Sequence, residues 1–198
     1  TPLIMAARSG HQPMIGYLLD LGADIEARND QGRTALFQAI VGDHEKTVRL
    51  LLARGANPEA AAGGVVPLAY ALDHERRDIA ALLVANGATG YERYAADAAM
   101  KRGRQALAEA NFDRAIDEFS AAIALQANRV EAYYRRGEAF AARGDRDQAE
   151  QDYRQVTTLR PDHADAQEAL ARLYVNDGNY ERAIGALEPL LEDQPDNP

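Results

Sequence analysis

The chain contains no cysteine and no tryptophan, only two serines (Ser9 and Ser120) and only two lysines (Lys46 and Lys101). Without cysteine there is no disulfide framework, no thiolate zinc site and no cysteine nucleophile. Neither serine lies in a nucleophile-elbow sequence, which removes that route to acyl transfer. Gly-x-Gly-x-x-Gly does not occur, and Gly87-Ala88-Thr89-Gly90 lacks the lysine of a phosphate loop. No apolar run approaches the roughly 18 residues needed to cross a bilayer. Positive charge is also scarce: the formal net charge is −9 over 198 residues. Residues 1–90 carry 8 basic and 10 acidic side chains, and residues 91–198 carry 14 and 21. Such a balance cannot neutralise a run of phosphates, so it argues against nonspecific nucleic-acid binding and against an anionic membrane surface. What the chain does have is 46% hydrophobic residues, enough for a core. Arginine outnumbers lysine 20 to 2, a bias expected of a GC-rich bacterial coding sequence.

Self-similarity is the dominant signal. Thr1-Pro2-Leu3 returns as Thr34-Ala35-Leu36 and as Val66-Pro67-Leu68. Leu18-Leu19-x-x-Gly22-Ala23 returns as Leu51-Leu52-x-x-Gly55-Ala56 and Leu83-Val84-x-x-Gly87-Ala88. The period is 33 and then 32, the missing residue falling in the Ala60–Gly64 loop. Each unit reads as two helices. The first is short and built of small residues (Ala6, Ala7; Ala39, Ile40; Ala71, Leu72), which permits close approach. The second carries apolar residues at i, i+3 and i+4: Ile15, Leu18, Leu19; Val48, Leu51, Leu52; Ala80, Leu83, Val84. Glycine then caps it, and Asn29-Asp30-Gln31-Gly32 turns the chain toward the next unit.

These markers resemble the ankyrin repeat over residues 1–90, in three units of which the first lacks its N-terminal finger. Ile4, Phe37 and Ala69 depart from the family's usual histidine, and the second finger loop lacks its usual aspartate. The resemblance implies that His11 and His44 hydrogen-bond backbone between helices rather than bind metal. It also places a partner-binding face on Met5, Arg8, Arg33, Gln38, Val41, Tyr70 and Asp73, with Arg28 and Asp30 at finger tips. Of these, Met5, Val41 and Tyr70 are apolar at positions expected to be exposed, which favours them as contacts.

From residue 91 the period becomes 34 without slippage. Gly103, Gly137 and Ala171 share one phase; Ala115, Ala149 and Ala183 share another, followed four residues later by Phe119, Tyr153 and Leu187. Ala127, Pro161 and Pro195 close the units, proline preventing continuation of the second helix. This pattern resembles the tetratricopeptide (TPR) repeat, three units over residues 91–198, with Tyr133-x-x-Arg136-Gly137-x-x-Phe140 and Gly178-Asn179-Tyr180-x-x-Ala183-Ile184 as its clearest stretches. Arg102 and Arg136 stand at a usual leucine position and Gln167 at a usual tryptophan position. Only Thr89 and Gly90 separate the two periods. A helix from about Tyr91 to Ala110, with Tyr91, Tyr94, Ala95 and Ala98 as its apolar stripe, is expected to join them by packing. The fold expected is therefore all-α: a helical-repeat solenoid, ankyrin repeats fused directly to TPR repeats in one continuous superhelix.

No catalytic, cofactor-binding or metal-binding constellation emerges. Asp24-x-Glu26-x-x-x-Asp30 lacks the ordered calcium loop, His74 and His163 have no ligand-spaced partner, and paired carboxylates such as Asp145/Asp147 lie among arginines as a solvated face would. The expected role is non-enzymatic: a scaffold binding a protein or peptide, with no cofactor, no nucleic acid and no membrane, placed in the cytoplasm. Self-association through uncapped ends is a further expectation. The alternative is the regulatory or targeting arm of a larger enzyme whose catalytic domain lies outside these residues. The TPR resemblance implies a groove lined by first helices at Asp97, Met100, Arg104, Glu131, Tyr134, Glu138, Asp165, Glu168 and Arg172. Five of the nine are acidic and two basic, which suits a peptide with basic residues. Met100, Arg104 and Asp165 replace residues that the family uses to grip a terminal carboxylate, so that specialisation is absent.

Overall fold

The computed structural model describes residues 1–192, giving the backbone alone for Leu191 and Glu192. The expected unit end at Pro195 and the Asp196-Asn197-Pro198 stretch lie outside the described residues. The residues group into two compact units, Thr1–Ala98 and Ala99 onward.

The first unit holds three helix pairs: α1 (Pro2–Arg8) with α2 (Gln12–Asp20), α3 (Ala35–Val41) with α4 (Glu45–Ala53), and α5 (Pro67–Asp73) with α6 (Arg77–Ala85). Short helices pack on short ones (α1 on α3, α3 on α5) and longer on longer (α2 on α4, α4 on α6). Thr1 and Thr34 cap their helices by accepting from Ile4 N and Phe37 N, whereas Val66, the third unit's substitute, makes no side-chain cap. Ala7, Ala39, Ile40 and Ala71 are fully buried, as small residues at a close crossing should be. Ile15, Val48, Leu51 and Leu83 are likewise at 0% exposure. In α6, however, the buried face runs through Ile79, Ala80 and Leu83, and Val84 is 40% exposed.

The second finger closes without its aspartate. In the first finger, the Asn29 side chain accepts from Gln31 N and Arg33 N. In the second, Ala62 and Val65 exchange backbone hydrogen bonds of 2.9 and 3.1 Å around Gly63-Gly64. Both glycines have positive φ, as a two-residue hairpin turn of this kind requires. This bridge is the sole β pairing among the described residues. Fingers are tied across the repeat: Glu26 accepts from Asn57 N at 2.7 Å, and Glu59 accepts from Thr89 N at 2.6 Å. His44 Nε2 bonds Arg8 O at 2.9 Å, while His11 Nδ1 caps α2 by accepting from Met14 N.

Helix α7 spans Tyr91–Ala108, and the division between the units falls inside it. Ala95, Ala96 and Ala98 are buried, but Tyr91 is 42% exposed, so the expected apolar stripe begins at Tyr94 rather than Tyr91. Beyond α7 come α8 (Phe112–Leu125), α9 (Val130–Arg143), α10 (Arg146–Leu159), α11 (Ala164–Asn176) and α12 (Tyr180–Glu192). Within this second unit each helix packs on the next in sequence from α8 to α12.

The arginines at leucine positions are explained by ion pairs. Arg102 Nε donates to Glu118 at 2.8 Å. One period later, Arg136 holds Asp152 through two bonds of 2.8 and 2.7 Å and donates a third to Ser120 Oγ at 3.0 Å. The side chain of Asp152 is only 4% exposed and that of Arg136 21%. One period further on, the same places hold Leu170 and Ala186, and the rung becomes apolar. A short and a long partner trade charge for hydrocarbon without changing the helix pairing.

Candidate functional site

In the second unit, α9, α10 and α11 enclose a cleft of about 340 Å³. Helix α9 supplies Tyr134, Glu138 and Ala141; α10 supplies Arg146 and Tyr153; α11 supplies Asp165, Glu168, Arg172 and the apolar floor around Leu173. Residues 134 and 138 lie one turn apart on α9, and 165, 168 and 172 follow the 3–4 spacing on α11, so each helix turns one face to the cleft. Five of the nine positions expected to line a groove are thus brought together. Glu131 lies one turn before Arg135. Asp97 is exposed in the first unit's part of α7, and Arg104 is exposed in the second unit's part.

Met100 does not belong with them. It is fully buried, in the cluster that contains Ala99, Ala106 and Phe119. The small side chains at Ala99 and Ala106 leave volume that an unbranched thioether fills well. In the first unit, Gln38 is likewise 6% exposed, because α3 is flanked by α1 on one side and α5 on the other. Among the other positions proposed there, Met5 is 59% exposed, Arg8 is exposed, and Val41 and Asp73 are half-buried. Tyr70 is held in an aromatic row, 5.3 Å from Phe37 and stacked on His74 at 4.0 Å, with Arg76 over its ring and Arg33 over that of Phe37. Packing therefore uses much of the surface expected to be free.

The cleft's charges are more nearly balanced than the count of nine positions suggests. Arg135 donates to Glu131 at 2.7 Å and to Glu138 at 2.9 Å. Arg172 donates to Glu168 at 3.0 Å, and Arg146 to Asp177 at 2.6 Å. Asp165 makes no ion pair among the described residues. The Tyr134 ring stands 5.8 Å from Tyr153 and 5.1 Å from His163. Burial, then the charges of Glu138 and Asp165, push the Tyr134 phenol above its ordinary pKa. Burial pushes that of Tyr153 further up, aided by Glu138.

Sequence reasoning passed over Tyr153, which belongs to a packing position. The signal was there: its phase mates are Phe119 and Leu187, and Tyr153 alone adds a hydroxyl. Among the described residues no group of three or more His, Asp or Glu is placed to hold a metal ion, and no helix is long and apolar enough to cross a membrane.

Residues 3–94 match the family model described as ankyrin repeats (3 copies), and two tetratricopeptide repeat models match residues 95–164 and 140–198. Among curated proteins, the chain is 46% identical over 52 residues to E3 ubiquitin-protein ligase XBAT33 of Arabidopsis thaliana, covering 26% of this chain and 10% of that one. It is 37% identical over 98 residues to mouse ankyrin repeat and SOCS box protein 16, covering 45% of this chain and 22% of that one. Ankyrin repeat and KH domain-containing protein mask-1 of Caenorhabditis elegans is 35% identical over 88 residues, or 43% of this chain and 3% of that one. The chain thus spans less than a quarter of the length of each of these relatives. All three are eukaryotic, which lends no support to the bacterial origin expected from arginine usage. Proteins of this architecture are characteristically non-catalytic interaction scaffolds, and the marker order agrees with the family matches throughout: the chain belongs to the repeat proteins, an ankyrin array followed by tetratricopeptide repeats.

Proposed function

We propose that the chain is a scaffold that binds an extended peptide segment of a partner protein in the cleft between α9 and α11, with a preference for basic residues. One observation carries this reading: five independently expected groove positions line one cleft, and Asp165 within it has no cation of its own. A carboxylate without an ion-pair partner, beside two tyrosine hydroxyls, favours a cation over an anion or a purely apolar chain.

The test is selection of displayed random peptides on the full chain. Enriched peptides should lose affinity on Tyr134→Ala, with helical circular dichroism unchanged, and should bind more weakly as salt rises. If they ignore Tyr134→Ala but are abolished by Tyr70→Ala, the binding face is that of the first array.

A second reading is favoured by the match to an E3 ubiquitin-protein ligase, of which the chain covers 10%. In it, the two arrays are the recognition arm of a larger enzyme. The full-length reading frame decides between a free-standing scaffold and such an arm.

A further inference from the structure

The feature that the interaction reading leaves unused is the Tyr153 hydroxyl. Tyr153 is 4% exposed, yet it lines the cleft. Its hydroxyl makes no hydrogen bond within the described residues, and it is not among the buried polar atoms left without a partner, so it opens on the cleft. With the ring buried and the hydroxyl facing the cleft, that hydroxyl is left to water or to a ligand. The ring cannot easily turn away, because Gly137 presses on it: a β-carbon there would lie 2.7 Å from Cε1 and 2.9 Å from Cδ1. Tyr134 lies 5.8 Å away ring to ring, and the charges of Glu138 and Asp165 both act on its phenol, that of Glu138 on Tyr153 as well.

What chemistry would such a place take? An anion would meet Asp165 and Glu138, and the cleft's arginines are already engaged by Glu168 and Asp177. An apolar side chain would strand the Tyr153 hydroxyl and desolvate Asp165. A cation with several donors satisfies both: it pairs with the Asp165 carboxylate and gives hydrogen bonds to phenol oxygens.

We infer that the cleft contains a subsite for a single cationic side chain, arginine or lysine, of the bound peptide, with Asp165 as its counter-ion and the Tyr134 and Tyr153 hydroxyls as acceptors. This rests on the proposed peptide-binding role of the same cleft and narrows it to one position of the ligand. Burial keeps the Tyr153 phenol protonated to high pH, so it serves as a neutral acceptor and donor throughout the physiological range. Asp165 sits in the first turn of α11, where a negative charge is tolerated without help. It is therefore an available counter-ion that folding does not consume.

The experiment uses the full chain and peptides enriched from a displayed random library, resynthesised with their basic residues replaced one at a time by citrulline or norleucine. The expected result is one ligand position at which neutral replacement lowers affinity about tenfold or more. Asp165→Asn should lower affinity for the basic peptide by a similar factor and leave the citrulline peptide unaffected, the two losses coupling as a double-mutant cycle. Tyr153→Phe, which removes only an oxygen, should give a smaller loss at the same ligand position. If enriched peptides depend on Tyr134 but show no basic position, or are indifferent to Asp165→Asn, the subsite is overturned and the groove reading stands. If no enriched peptide depends on Tyr134, both fall together.

Discussion

A β-carbon placed on Gly137 would stand 2.7 Å from Cε1 of Tyr153, closer than real side chains approach. The same relationship holds one period earlier between Gly103 and Phe119. Gly137→Ala therefore sets two effects against each other. Alanine favours a helix interior by about 1 kcal/mol over glycine. Overpacking a buried ring costs about 1–3 kcal/mol. Net destabilisation is expected in urea unfolding; a net gain would mean that the ring swings aside freely.

The Arg136–Asp152 pair gives a second expectation. Asp152→Ala should cost about 3–5 kcal/mol, because it leaves a guanidinium buried without its carboxylate. The double change Arg136→Leu with Asp152→Ala copies Leu170 and Ala186 of the next unit. It should recover most of that loss. If the double variant is no more stable than the single one, the apolar rung depends on surroundings that only the last unit provides.

Leu51 lies at 0% exposure between neighbouring ankyrin units, and Ile116 at 9% in the TPR core. Truncating either to alanine should cost about 2–5 kcal/mol. A loss below about 0.5 kcal/mol, as at exposed positions, would show that the helix faces are misassigned.

Alkaline pH should destabilise the second unit. The Tyr153 phenol is raised from its ordinary 10.0 by burial, and Tyr134 and Tyr174 are raised in the same direction. Folded tyrosines thus keep protons that the unfolded chain gives up. The associated stability is complete below the unfolded pKa and is lost as pH climbs through it toward the folded value. Melting temperature should fall above about pH 10. Tyr153→Phe should flatten that fall, and an unchanged slope would assign it to other groups.

Much of the fold was legible because repeat periods are physical. Six ankyrin helices and the TPR pairs recur where Thr-x-Leu, Leu-Leu-x-x-Gly-Ala and the Gly/Ala–aromatic phases place them. The misses come from local volume. The TPR resemblance puts Met100 on the groove face, but undersized Ala99 and Ala106 draw it inward. Gln38 is covered because α3 has a neighbour on both sides, a fact of stacking that no single helix displays. In α6, Ile79 joins the expected Ala80 and Leu83 in the buried face while Val84 stays outside it, a difference that a three-residue pattern cannot resolve. In the cleft, the residues were legible one by one, but not their pairing: Arg135 bridges two glutamates that the sequence counts as free acid.

The two charged rungs have a bearing on how such a chain could change in length. Arg102 and Glu118, like Arg136 and Asp152, are 16 residues apart, well inside one 34-residue period. The ion pair of each rung therefore lies within one unit, although Arg136 also donates to Ser120 of the unit before. Duplicating or deleting a whole unit moves both charges together and strands neither, whereas a break between them leaves an ion buried alone. Genetic insertions and losses are then tolerated at one set of joints and punished at the other. Copy number can drift while the internal grammar of each unit is held fixed.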